Sequence, residues 1–409
     1  MNREPASSDL IKTLSDLVAL PSVNPMGRPA TGPEFFEYRV TDYLENFFRS
    51  LGVPYQRQTV EPKRDNIVAR LDGDSAAGDR VLLYEAHQDT VPVTGMTIEP
   101  WTPTIRDGRI YGRGACDIKG GLAAMLTAFA RLVRERPAGM PTVLMASTVN
   151  EENGFSGVKA LCRLWEQPGS VVTRRPDAAV ISEPTELSVV VAHKGVVRWR
   201  LHTHGRAAHA SQPERGENAI YRLTPVLAAL ERYAHEVVPQ LNVHPLCGRP
   251  TLNVGTVQGG LSVNTVPDRA TIEIDRRVSP GEDPRAAFDH VVDYLASALG
   301  NPAWIEHDRP FMQTTGLADD DNGPLADNLL KTVRSVVGRG EKIGVPYGTN
   351  ASATNAAGIP SVVFGPGSIT EAHTADEWLA LDQLALAAEV YYRFAGGGLR
   401  LEARGATID

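Results

Sequence analysis

Four short apolar runs in this chain each lead within a few residues to ionisable side chains, and that repeated pattern restricts the fold more than any other feature. Val81–Tyr84 leads to His87 and Asp89, Thr142–Thr148 to Asn150-Glu151-Glu152, and Ala178–Ile181 to Glu183. Ser361–Phe364 leads to Gly365-Pro366-Gly367, with His373 six residues beyond. Apolar runs of this length, bounded by turn-forming residues, suit strands of a parallel sheet covered on both faces. Helical spacing over Gly121–Arg136, Gly157–Trp165, Leu325–Val337 and Leu381–Ala395 supplies the covering layers. The expectation is an α/β domain with a mostly parallel sheet flanked by helices. Its ionisable residues would gather at the strand ends, where open sheets place their sites.

Upstream, Ser8–Ala19 has apolar residues at helical spacing with Ser7 or Ser8 able to cap, and Glu34–Leu51 reads as a second helix stopped by Gly52. Strands are expected over Asn66–Leu71 and Arg80–Glu85, and Arg106–Arg109 reads as a hairpin turn. Near Val189 the texture changes. A long strand over Val189–Thr203 is followed by a helix at Glu217–Val237, strands at Thr251–Val257 and Ala270–Arg276, a helix at Asp283–Leu299 and a strand near Ala303–His307. That order is ferredoxin-like α+β. Residues 190–308 therefore read as a domain inserted between 1–189 and 309–409, two parts of one main domain.

A length of 409 residues exceeds one ordinary core and accommodates both domains. The net charge of −8 argues against nucleic acid or an anionic membrane as partner, since both favour a basic face. No window approaches a membrane span, and the first ten residues lack the apolar stretch of a secretory leader. Three scattered cysteines fit a reducing cytoplasm.

His87 and Asp89, two apart in an extended segment, share one face; a carboxylate beside a ligating imidazole fixes its ring. In Gly112–Gly121, GRGACDIKGG, Asp117 is the sole carboxylate, placed where glycines let the backbone bend before a helix. Adjacent Glu151 and Glu152 point in different directions, so one can bind metal while the other faces substrate and water. With Glu183 and His373 these residues form a nitrogen-and-oxygen donor set without cysteine, suited to Zn²⁺ or Co²⁺ and less to Mn²⁺. If one carboxylate bridges two ions, the other four ligands divide into two pairs and one acid is left over as a general base.

Taken together, His87-Gln88-Asp89 with Val91-Pro92, GRGACDIKGG, Asn150-Glu151-Glu152, Glu183-Pro184-Thr185 and GPG with Ala372-His373-Thr374 resemble the M20 metallopeptidase and deacylase family. The resemblance implies a catalytic main domain and a lid and dimerisation insert, acting on a small N-acyl amino acid or short peptide. It implies two divalent metals, most simply zinc with cobalt as an alternative: Asp117 bridging, His87 and Glu183 on one ion, Glu152 and His373 on the other. Asp89 would orient His87, and Glu151 would be the general base that passes a proton to the leaving amine. In the insert, His209 of GRAAHASQPERGENAI matches a residue that reaches the active site of a partner subunit, implying a homodimer. Asn264 and Arg277 match substrate-carboxylate positions, with Arg277 preferred to Arg276 on spacing, and Gly348 and Thr349 match a substrate-contacting loop. Family members often carry Asp where Asn350 stands.

Within the family, GRGACDIKGG and GPGSITEAH are closer to the acetylornithine deacetylase branch. Desuccinylases of N-succinyl-diaminopimelate typically carry Asn where this chain has Ile369. Carboxypeptidase or dipeptidase action uses the same groups, and a binding protein that has lost catalysis would lack a ligand or the base; all are present. Of the remaining histidines, His202 and His204 are expected on one face of the insert's sheet and His193 at a hinge. His235, His244, His290 and His307 are expected at the surface, and Cys116 as a small buried side chain under the metal loop.

Overall fold

The computed structural model describes residues 6–74, 78–397 and 399, and the chain forms two compact units. The first runs to Val191 and resumes over Asp319–Ile343 and from Thr349; the second holds Ala192–Ala318 and Gly344–Gly348. The second unit extends past residue 308 because a strand at Met312–Thr314 pairs with Gly195–His204.

The first unit is built on an eight-stranded sheet. Its order is Tyr55–Glu61, Arg64–Leu71, Thr142–Thr148, Val81–His87, Ala178–Ile181, Ser361–Val363, Val189–His193 and Lys342–Val345. The four apolar runs form its centre and are parallel, as their burial on both faces requires. Antiparallel pairings flank them, so the sheet is mixed. Arg64–Leu71 and Val81–His87 are consecutive in the chain yet do not pair, because Thr142–Thr148 lies between them. Tyr55–Glu61, YQRQTVE, carries no apolar run and is half-buried at the sheet edge, which explains why the sequence pattern did not reveal it.

Helix Lys119–Glu135 packs on this sheet and against Ser8–Val18 and Leu381–Gly396, forming the main core. Its first turn is unusually close to its neighbours. A Cβ on Gly120 would stand 2.3 Å from Leu379 Cδ2, and one on Gly121 2.0 Å from Ser182 Oγ. Only glycine admits that approach, which seats the helix start directly beneath the Asp117 loop.

The parallel register aligns the strand ends. His87 pairs with Thr148, and Glu85 pairs with Ile181, so Glu183 falls level with His87. Segment 149–152 continues from the same edge.

In the second unit the order is Thr251–Gly259, Arg269–Val278, Gly195–His204 and Ile305–His307, all antiparallel, the ferredoxin-like arrangement. Helices Ala219–Arg232 and Pro284–Leu299 bury Val197, Trp199, Leu201, Ile272 and Ile274. The single strand expected over Val189–Thr203 is two strands broken at Lys194, the first in the large sheet and the second here. His307, expected at the surface, is half-buried: Trp199 Nε1 donates to its Nδ1 at 3.3 Å and Phe288 meets it edge-on. His193 is fully buried, its Nδ1 2.9 Å from the Lys194 carbonyl.

Trp199 is fully buried and packs edge-to-face on Phe288 at 5.2 Å. Trp199→Ala is expected to destabilise the second unit by about 3–5 kcal/mol. Urea unfolding monitored by fluorescence and circular dichroism checks this; a loss below ~1 kcal/mol would contradict the packing described.

Candidate active site

Each candidate ligand of the first unit stands at the end of a central strand or on a loop pinned to one. His87 closes its strand, and the residue after it, Gln88, points the opposite way. Gln88 Oε1 accepts from Thr41 Oγ1 at 2.8 Å, and its amide donates to the carbonyls of Asp65 and Ser147. That alternation leaves His87 and Asp89 facing the site.

Two triads result. His87 Nε2 lies 3.2 Å from Asp117 Oδ1 and 3.9 Å from Glu183 Oε1. His373 Nε2 lies 3.2 Å from Asp117 Oδ2 and 3.4 Å from Glu152 Oε1. In each triad the ligand-capable atoms are all within 4.8 Å of one another. Asp117 belongs to both and offers one oxygen to each. Glu152 Oε1 is buried, and its contact with His373 is this 3.4 Å ion-pair approach rather than a conventional hydrogen bond. Two imidazoles and three carboxylates in this arrangement fit a pair of divalent ions.

Asp89 is the hub behind the triads. Its Oδ1 accepts from Glu151 N and its Oδ2 from Glu152 N, both at 3.0 Å. Its nearest contact with His87 is through the main chain: His87 Nδ1 is 3.0 Å from the Asp89 carbonyl and 3.6 Å from Oδ1. Asn24, which sequence reasoning missed, donates to Asp89 Oδ2 at 2.8 Å and to Asn150 Oδ1 at 3.0 Å. Its only signal was an Asn within the Pro-rich loop at 21–33.

Burial opposes charge throughout, and neighbours decide the outcome. For His87, burial works against the cation, but Asp117, Asp89, Glu183 and Glu151 outweigh it and hold its pKa well above the ordinary value. His373, half-exposed, is raised to about 11: desolvation opposes the cation, while Asp117 and Glu152 favour it more strongly. Asp117 is desolvated too, yet bonds from His373 and His87 hold its carboxyl below the usual range. Glu151 and Glu183 are pushed well up, first by burial and then by neighbouring carboxylates. Glu151 is in neither triad.

Another acid that sequence reasoning missed lies under the site. Glu85 is fully buried and raised to about 7 by desolvation, its Oε1 accepting from Thr148 Oγ1 at 2.7 Å and Asn350 Nδ2 at 3.1 Å. Asn350 also donates to Thr148 Oγ1 at 3.1 Å. Next to it, Thr349 is buried, its Oγ1 accepting from Ala351 N.

The other candidates belong to the second unit. His209 and Thr265 are paired in a short ladder, which brings His209 and Asn264 together; both are exposed, and Ala210 N donates to the Asn264 carbonyl at 2.9 Å. Arg277 stands near the far end of the Arg269–Val278 strand, part-exposed, with Nε bonded to Asp275 at 2.8 Å. Arg276 is fully buried on Glu282 at 2.6 Å and is thereby withdrawn from solvent. Gly348 lies near the Lys194 carbonyl, where a Cβ would come within 3.1 Å.

A family model described as peptidase family M20/M25/M40 matches residues 83–396. Among curated relatives, a probable carboxypeptidase of Emericella nidulans is 28% identical over 96% of this chain and 90% of its own. An acetylornithine deacetylase of Myxococcus xanthus is 28% identical (94% and 97%), and a succinyl-diaminopimelate desuccinylase of Corynebacterium glutamicum 29% (88% and 92%). The fold matches an M20 metallo-carboxypeptidase of Sulfolobus solfataricus with a TM-score of 0.76 at 19% identity, covering 95% of this chain and 99% of that one. It also matches a dinuclear metal-binding M20 peptidase of Bacillus subtilis with a TM-score of 0.65 at 17% identity, covering 96% and 97%.

With its pKa raised to about 11 the His373 ring carries a proton at neutral pH, and an ion held by this triad would have to displace it, since ligation needs neutral imidazole. Zinc binding should therefore release protons, and apparent affinity should strengthen as pH rises. Titration calorimetry in buffers of different ionisation enthalpy measures the release, and a buffer-independent heat would contradict it.

Proposed function

Because the chain belongs to peptidase family M20/M25/M40 and is thereby a hydrolase of amide bonds, we propose that it is a two-metal amidohydrolase removing the N-acyl group of a small amino-acid derivative. The observation that carries this reading is Asp117, whose two oxygens face separate His/Glu pairs, with Glu151 buried alongside in neither. Zinc or cobalt ions would be held by His87, Asp117 and Glu183 and by Asp117, Glu152 and His373, and when bound supply Lewis acidity toward the acyl carbonyl and a water. Glu151 accepts the proton of the attacking water at its carboxylate and returns it to the leaving nitrogen. Burial raises that carboxyl, which strengthens it as a proton acceptor. Asp89 keeps Glu151 and Glu152 pointing apart by capping both main-chain amides.

Arg277 is proposed to take the substrate carboxylate through its planar fork, with Gly348 and Thr349 contacting the same substrate. The seclusion of Arg276 supports that choice. His209 and Asn264 form a separate patch. The ladder carrying them adjoins the Arg269 end of a strand on which Arg277 lies eight residues on, about 26 Å at 3.3 Å per residue. One small substrate does not span that distance, so His209 and Asn264 serve a second copy. A homodimer is favoured by the exposed edge strand Thr251–Gly259 and by Val257, Leu261 and Val263, which are 64%, 96% and 102% exposed.

The motifs support an acetylornithine deacetylase-like reaction, in a family whose members act on many N-acyl amino acids; a C-terminal peptide bond is the second reading, favoured by the carboxypeptidase among the relatives. The deciding experiment is hydrolysis by zinc- or cobalt-loaded protein of N-acetylornithine, N-succinyl-diaminopimelate, several N-acetyl amino acids and dipeptides, with chelator controls. Chelator-sensitive turnover concentrated on N-acetylornithine is expected; turnover confined to dipeptides would replace this reading with the second, and none at all would overturn both. Glu151→Gln should retain both metals while turnover falls about 10²–10⁴-fold, whereas Glu152→Gln should lose metal. His209→Ala should depress turnover with both metals in place; an unchanged rate would remove His209 from the reaction.

A further inference from the structure

We propose that Glu377 is a positioning residue that holds Asp117 and His373 at ligand spacing, a role that rests on the two-metal reading above. Glu377 is fully buried and bonded at both oxygens. Its Oε1 accepts from the main-chain amides of Cys116 at 2.8 Å and Asp117 at 3.0 Å. Its Oε2 accepts from Gly114 N at 3.0 Å and Arg113 Nη1 at 2.8 Å. The three amides of the Gly112–Asp117 segment thus converge on one point, a concavity that suits an anion, and a side chain of the same protein fills it. Remove the anion and three buried donors lose their partner, so this loop conformation depends on it.

That anion comes from the segment that carries the other ligand. His373 lies four residues before Glu377 on an irregular turn with φ +61°, which supplies no ladder or helix to hold it. Downstream, Trp378–Ala380 pairs antiparallel with Arg109–Tyr111, and Gly112 N donates to the Glu377 carbonyl at 3.1 Å. The segment carrying His373 is therefore laced to the segment carrying Asp117, and the carboxylate is the knot nearest both ligands. His87 and Glu183 have strand ends to position them and do not touch Glu377. The consequence is asymmetric: losing this carboxylate loosens the Asp117, Glu152 and His373 site more than the other.

The test is metal binding to the intact protein, followed by cobalt absorption and by zinc competition against a chelator. Wild type is expected to bind two ions. Glu377→Gln keeps the shape but turns an amide group toward donors. It should leave one ion bound near the wild-type affinity and weaken the other about 10–100-fold, with activity recovered at high metal. Arg113→Met keeps the carboxylate on its amides and should weaken that ion far less; equal weakening in both variants would mark Glu377 as half of a structural ion pair and overturn the proposal. Two ions bound by Glu377→Gln with wild-type affinities would also overturn it. If Glu377→Gln does not fold, Glu377→Asp, with its anion too short to reach all three amides, is measured in its place; weakening of one ion supports the role and unchanged affinity refutes it. Should wild type bind fewer than two ions, the two-metal reading fails instead, which separates the two outcomes.

Discussion

The mutual repulsion of buried carboxylates governs this structure. Asp89, Asp117, Glu85, Glu151, Glu183 and Glu377 are all buried in one unit, and Glu152 joins them. Each would be costly in isolation. The chain meets that cost in two distinguishable ways. Asp89 and Glu377 are saturated by main-chain amides, with Asn24 and Arg113 completing their shells. Glu152, Asp117 and Glu183 instead face imidazoles at 3.2 to 3.9 Å across triads that each hold a second carboxylate. The first group organises backbone; the second gathers in the two triads. Main-chain hydrogen bonds thus distinguish Asp89 and Glu377 from the triad acids.

What the sequence made legible follows from the same division. His87, Asp117, Glu152, Glu183 and His373 were readable because each follows an apolar strand or a glycine-rich bend, signals confined to a dozen residues. The central strands were readable for the same reason. Asn24, Glu85 and Glu377 were not, since their partners lie far along the chain: Glu377 acts on residues some 260 positions earlier. Strand order was hidden likewise. Nothing local announces that Thr142–Thr148 enters between Arg64–Leu71 and Val81–His87. The break at Lys194 was masked by apolar alternation that continues across it, while Tyr55–Glu61 is held at an edge by pairing alone.

The departure at Asn350 becomes intelligible once Glu85 is considered with it. An amide at 350 donates to both Glu85 Oε1 and Thr148 Oγ1, and Thr148 donates in turn to Glu85, closing a three-membered cluster beneath His87. An aspartate there would donate to neither and would put a second negative charge about 3 Å from a buried carboxylate, a contact that forces one acid to stay protonated. An amide stands here where family members often carry an acid, and Glu85 on the adjoining strand accepts from it at 3.1 Å. The two positions therefore form one electrostatic unit, and the amide at 350 is what allows Glu85 to share that space.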